Sequence, residues 1–253
     1  MSEIIFRFNG ELNDFLPPDR RMRGFASRFK GRESIKDKIE ALGVPHSEVD
    51  FILVNGKSVA FNYILDNGDH IGVYPWIETL DVPGITHLMH MPTGSPRFIA
   101  DQNIHDIVKI MRALGLDVFQ DQIFSPEELV HISINEKRII LSTSRQLLKR
   151  KRVVHGFFIR QGNREAQIQK IVNRLSLKNR CKPFSRCLIC NTLLEMVEKE
   201  SVWERIPPKT RNHCNDFARC LSCNRIYWKG THYQKIKEKV DRILSSANLD
   251  DLA

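Results

Sequence analysis

The 253-residue chain is 42% apolar and 27% charged, a balance that excludes a disordered polymer and supplies enough core for two or three domains. No apolar run approaches the 18 or so residues of a membrane span, and the opening MSEIIFRFNGEL has no signal-peptide core, so a cytoplasmic protein with no membrane partner is expected. Six cysteines in a reducing compartment are then thiols or metal ligands rather than disulfides. Charge is uneven: residues 1–95 carry 10 Lys and Arg against 13 Asp and Glu, whereas residues 96–253 carry 29 against 17. The basic part suits a polyanion, of which nucleic acid is the commonest; a solvated basic surface is the bland alternative.

In chain order, IIFRFNGEL alternates as a strand does, and RESIKDKIEALG places Ile35, Ile39 and Leu42 at helical spacing before a stop at Gly43. VDFILVNGKSV carries a hairpin signal at Asn55-Gly56, and LDNGDHIGVYP is a turn into another strand. A strand, a helix and two further strands within about 70 residues predict a β-grasp, ubiquitin-like domain over residues 1–76. Sulfur carriers of that shape end in Gly-Gly; here the comparable place is GVYPW in mid-chain, so a role in binding an unidentified protein partner is expected instead. Residues 77–95 read as a linker rich in proline, in which His87 and His90 are expected to face solvent rather than a metal.

Strands and helices then alternate. RFIAD, LDVFQD, KRIILSTS and VHGFFIR read as strands; IHDIVKIMRALG, SPEELVHISINE, SRQLLKRK and NREAQIQKIVNRLSL read as helices. Ser125, Pro126 and Glu128 form a capping-box arrangement. The expected class is α/β, a parallel sheet with crossover helices over residues 96–180. Asp101 ends the first of these strands, where ligands gather in such sheets.

The pairs CLIC (Cys187, Cys190) and CLSC (Cys220, Cys223), 29 residues apart, offer four soft thiolates that close a tetrahedron about zinc. A zinc ribbon is therefore expected over residues 181–228, with the metal structural because no coordination position stays open; Cys181 and Cys214 lie outside the two knuckles and are expected to be buried or free thiols. A helix over 229–253 is expected to return to the α/β core. In NRIYWKGTHYQKIKEKV, His232 and Tyr233 stand among lysines and suit stacking on bases. A docking role for the same aromatics competes and is the expectation for Trp228. Arg145, Lys149, Arg150, Lys151 and Arg152 form a basic stretch suited to RNA backbone, or else a solvated helix face.

FNGELNDFLPPDRR, SIKDKIEALGVPHSEVDFILVNGKSV and NGDHIGVYP resemble the ubiquitin-like N-terminal domain of members of the Mut-seven C-terminal ribonuclease family. RFIAD, LGLDVF, LLKRK, VHGFFIR, PFSRCLICNTLLE and DFARCLSCNRIYWKGTHY resemble that family's PIN-type ribonuclease domain with its zinc ribbon. The resemblance implies an RNA-acting endoribonuclease that holds catalytic Mg²⁺ or Mn²⁺ on carboxylates. It places the first acid at Asp101 and the second at Glu127 or Glu128. Ser144 stands where the family has its third acid, and a neutral hydroxyl does not replace a carboxylate's charge for a hard cation; Asp121 or Asp106 is the available substitute. The competing expectation is a PIN-like protein that binds RNA without cutting it.

Overall fold

A computed structural model describes residues 1–76, 84–89, 94–121 and 124–245. The N-terminal elements are β1 (Ser2–Phe8), β2 (Phe25–Phe29), α1 (Ile35–Ala41), β3 (Val49–Val54), β4 (Lys57–Val59) and β5 (His70–Pro75). There follow β6 (Arg97–Ala100), α2 (His105–Ala113), β7 (Asp117–Phe119), α3 (Pro126–Asn135), β8 (Arg138–Ser142), α4 (Arg145–Leu148), β9 (Gly156–Phe158) and α5 (Arg164–Arg174). The last elements are β10 (Leu194–Val197), α6 (Pro208–His213), β11 (Phe217–Cys220), β12 (Ile226–Trp228) and α7 (Thr231–Ser245). They group into two compact units: Met1–Gly94 with Ser125–Phe158, and Ser95–Phe124 with Ile159–Ala253. His90 and most of the expected linker lie outside the described residues.

In the first unit a five-stranded sheet runs β2-β1-β5-β3-β4. β1 is antiparallel to β2 and parallel to β5, the mixed pairing of a β-grasp. Ile4, Phe6 and Phe8 alternate inward along β1 while Glu3 and Arg7 face out, so one face packs beneath Ile35 and Ile39 of α1. Burying one such phenylalanine contributes about 1.5–3 kcal/mol. Ser34 caps α1 by accepting from the Asp37 N–H at 3.1 Å. Asn55 (φ 50°) and Gly56 (φ 81°) make the expected tight hairpin. His87 is half-buried, its Nδ1 2.6 Å from Oδ2 of the buried Asp50; the solvent-facing expectation missed this anchor.

The same unit contains α3, β8, α4 and β9. The Ser125 capping box forms in full, and β8 and β9 pair in parallel. The turn His46–Glu48 grips this segment with three side chains. His46 donates from Nε2 to the Val153 carbonyl at 2.9 Å, and Ser47 Oγ donates to the Leu148 carbonyl at 3.1 Å. The buried Glu48 carboxylate accepts from the Phe158 N–H at 2.6 Å. Phe15 packs on Phe158 with ring centroids 5.6 Å apart.

In the second unit β6 and β7 pair in parallel, with Ile99 opposite Phe119. The apolar faces of α2, α5 and α7 close the core, burying Ile107, Met111, Ile168, Ile171, Val240 and Ile243. Arg242 on α7 holds Glu165 on α5 through two hydrogen bonds of 2.9 and 3.1 Å. β10, β11 and β12 form a separate antiparallel sheet, backed by Val202, Ile206 and Phe217, with Trp228 packed against them. Gly115, after α2, has φ +84°, and an added Cβ would lie 2.2 Å from the Lys182 carbonyl oxygen. Gly115→Ala is expected to cost about 3 kcal/mol or more, a fall of about 6–12 °C in Tm by thermal denaturation.

Candidate metal centre and strand-end acids

Each cysteine pair sits on a knuckle of the ribbon, and the two knuckles are built alike. The Cys190 N–H points at Cys187 Sγ and the Cys223 N–H at Cys220 Sγ, both at 3.5 Å. Asn191 (φ 70°) and Asn224 (φ 60°) follow them in the left-handed region that asparagine tolerates. An asparagine directly after each C-x₂-C pair is a sequence signal that the spacing alone overlooked. Cys187 Sγ lies 3.5 Å from Cys223 Sγ, Cys190 Sγ lies 3.3 Å from Cys220 Sγ, and all four sulfurs fall within 4.8 Å of one another. Zn–S bonds of 2.3 Å in a tetrahedron require separations of about 3.8 Å. The donor set and its size therefore fit one zinc ion, with Cys187 and Cys220 fully buried.

Two of the thiols, Cys190 and Cys223, are shifted in opposite directions. Burial opposes ionisation of Cys190, but hydrogen bonding around it, from Thr192 foremost, brings its pKa down to about 6. Burial pushes Cys223 up to about 12. Cys181, outside the cluster, is raised by burial to about 11, which suits an inert packed thiol.

The first knuckle is stitched to the α/β core of the second unit. Asn191 accepts from the Val118 N–H at 3.1 Å and donates to Asp117 at 2.8 Å. Arg112 on α2, 1% exposed, donates to the carbonyls of Val118 (3.0 Å), Leu188 (3.1 Å) and Ile189 (2.6 Å). Burial pulls its guanidinium below the ordinary value, and the charges opposing that are first Cys187 and Cys190, then Asp117.

Among the expected acids, Asp101 and Asp121 belong to the second unit. Asp101 follows β6 and caps the next turn, accepting from the Asn103 N–H at 2.9 Å; it is partly exposed. Asp121 is exposed and lies two residues beyond Phe119, as Asp101 lies two beyond Ile99. Both thus leave the carboxyl edge of adjacent parallel strands, and Gln120 bridges them by donating to the Asp101 carbonyl at 2.7 Å. Asp106 is exposed on α2.

Glu127, Glu128 and Ser144 belong to the first unit. Glu127 is exposed and paired with Arg150 at 2.5 Å, and this guanidinium holds its carboxyl below the usual range. Glu128 is lowered by the Ser125 N–H and hydroxyl of the capping box. Ser144 caps α4, accepting from the Leu147 N–H at 3.2 Å.

The basic stretch is partly engaged within its own unit. Arg145 lies over the rings of Phe15 and Phe158 at 5.3 and 5.0 Å. Lys149 donates to the Glu40 carbonyl, while Lys151 and Arg152 are exposed. His232 is exposed, and Tyr233 packs on Phe184 with centroids 4.4 Å apart. Tyr227 places its hydroxyl 3.1 Å from Cys187 Sγ.

A β-grasp sheet joined in one chain to a parallel α/β pair and a four-cysteine ribbon defines a two-part protein whose cysteines could hold a metal ion. Residues 96–240 match the Mut7-C RNAse domain and residues 1–81 the Mut7-C ubiquitin model, and the chain belongs to the Mut7-C RNAse domain family. No curated protein and no solved structure matches it. The RNAse match supports a ribonuclease and points to RNA as a partner; the ubiquitin match points to a protein interaction. Among the described residues, no helix is long and apolar enough to cross a membrane.

Proposed function

We propose that the chain is a PIN-type, metal-dependent endoribonuclease of the cytoplasm. Its candidate acids are Asp101 and Asp121 in the second unit and Glu127 or Glu128 in the first, and its RNA contacts come from Lys151, Arg152 and His232, with Arg145, Lys149, Arg150 and Tyr233 as further contacts. The observation that carries this reading is the pair Asp101 and Asp121 at the carboxyl edge of adjacent parallel strands, where α/β sheets bind ligands. Carboxylates there would hold Mg²⁺ or Mn²⁺, a Lewis acid for the scissile phosphate. The working division is residues 1–76 for protein recognition, a linker at 77–95, 96–180 for chemistry, 181–228 as the zinc ribbon and 229–253, of which 246–253 lie outside the described residues, for a supporting helix.

A second reading, RNA binding without cleavage, draws on Ser144, whose hydroxyl is committed to capping α4 where an acid is expected. End-labelled single-stranded and hairpin RNA, incubated with Mn²⁺ or with EDTA, separates the two. Internal fragments that appear only with metal are the expected result. Salt-sensitive filter retention without fragments in either condition would select the binding reading, and neither signal would remove RNA from the account.

A further inference from the structure

Arg112 is the largest of the fully buried side chains, and its positive charge needs a compensating one. The Nε and Nη1 hydrogen bonds end on three carbonyl oxygens, two of them in the Cys187–Cys190 knuckle. No carboxylate hydrogen-bonds to it among the described residues; the nearby Asp117 is held by Asn191, with Arg186 at 3.7 Å. Four thiolates around a divalent ion carry a net charge of −2, and that charge would sit on the knuckle Arg112 grips. Tyr227 supports the same knuckle: its oxygen accepts from the Leu188 N–H at 3.2 Å, leaving the hydroxyl proton for Cys187 Sγ at 3.1 Å.

We propose that Arg112 is the buried counter-cation and positioning residue of the metal–tetrathiolate centre, so that metal loading and the packing of α2 depend on each other. The ribbon is then a charge partner of the α/β core rather than an appended module. The proposal is independent of any RNA chemistry. α2 begins directly after the turn that Asp101 caps, so metal loss would also loosen the support of that acid.

The test uses the full zinc-loaded chain. Release of zinc to a chromogenic chelator is timed for wild type, Arg112→Met and Arg112→Lys, with Tyr227→Phe alongside. Loss of an outer-shell partner is expected to weaken zinc retention about 10- to 100-fold for Arg112→Met, with partial recovery in Arg112→Lys because the charge returns. A folded Arg112→Met protein that keeps zinc as long as wild type would overturn the proposal. Should that variant not fold, hydrogen exchange on wild type with and without zinc decides. Loss of amide protection across Ile107–Ala113 on zinc removal is expected, and unchanged protection there would overturn it.

Discussion

Cys220→Ser is expected to purify without zinc and to unfold at least about 6 °C below the wild-type chain. A serine hydroxyl is a poor zinc ligand, and the three remaining cysteines leave the tetrahedral shell incomplete. Cys220 is fully buried and opens the second knuckle, and its backbone carbonyl accepts from the Asn224 N–H at 2.9 Å. Structural zinc contributes folding free energy outright; a loss of about 3 kcal/mol or more corresponds to about 6–12 °C in a chain of this size. Metal content by elemental analysis and thermal denaturation check it together. A variant that retained one zinc per chain and the wild-type Tm would remove the metal from the fold. Cys214→Ser is the control: that thiol lies outside the cluster, so zinc content should not change.

Asp101→Asn is expected to reduce metal-dependent RNA cleavage by about 10³-fold, equivalent to about 4 kcal/mol of transition-state stabilisation. The substitution removes charge and little else. Asparagine caps as well as aspartate, so the bond from the Asn103 N–H and the turn before α2 should survive, leaving Tm within about 1 °C. Asp121→Asn, exposed at the end of the neighbouring strand, is expected to lose about tenfold. Single-turnover rates at saturating Mn²⁺ separate lost metal affinity from lost chemistry. Cleavage by Asp101→Asn at the wild-type rate would move the active site elsewhere in the chain.

Local signals in the sequence were legible wherever a few neighbouring residues decide the backbone. The capping box at Ser125, the hairpin at Asn55-Gly56 and the two cysteine knuckles are short-range events and formed as expected. β2 was missed because FASRF is short and follows a basic loop; its pairing with β1 and the packing of Phe25 against Phe6 and Phe8 make it a strand.

The sequence alone determined the β-grasp pattern, the alternation of strands and helices, and the four cysteines that could hold a metal ion, because period, turn chemistry and ligand spacing are local quantities. Tertiary structure alone decided how identical signals are used. Asn191 and Asn224 follow equivalent knuckles, yet Asn191 binds Val118 and Asp117 of the α/β core, whereas Asn224 receives Arg205 and Arg219 of the ribbon. Arg145 became a cover for two phenylalanine rings, and Arg112, one arginine among many in the chain, became the buried cation beneath the cysteines. Charge and hydrogen-bonding capacity are written in the residue type, but the partner that satisfies them is chosen by distant chain that folding brings alongside.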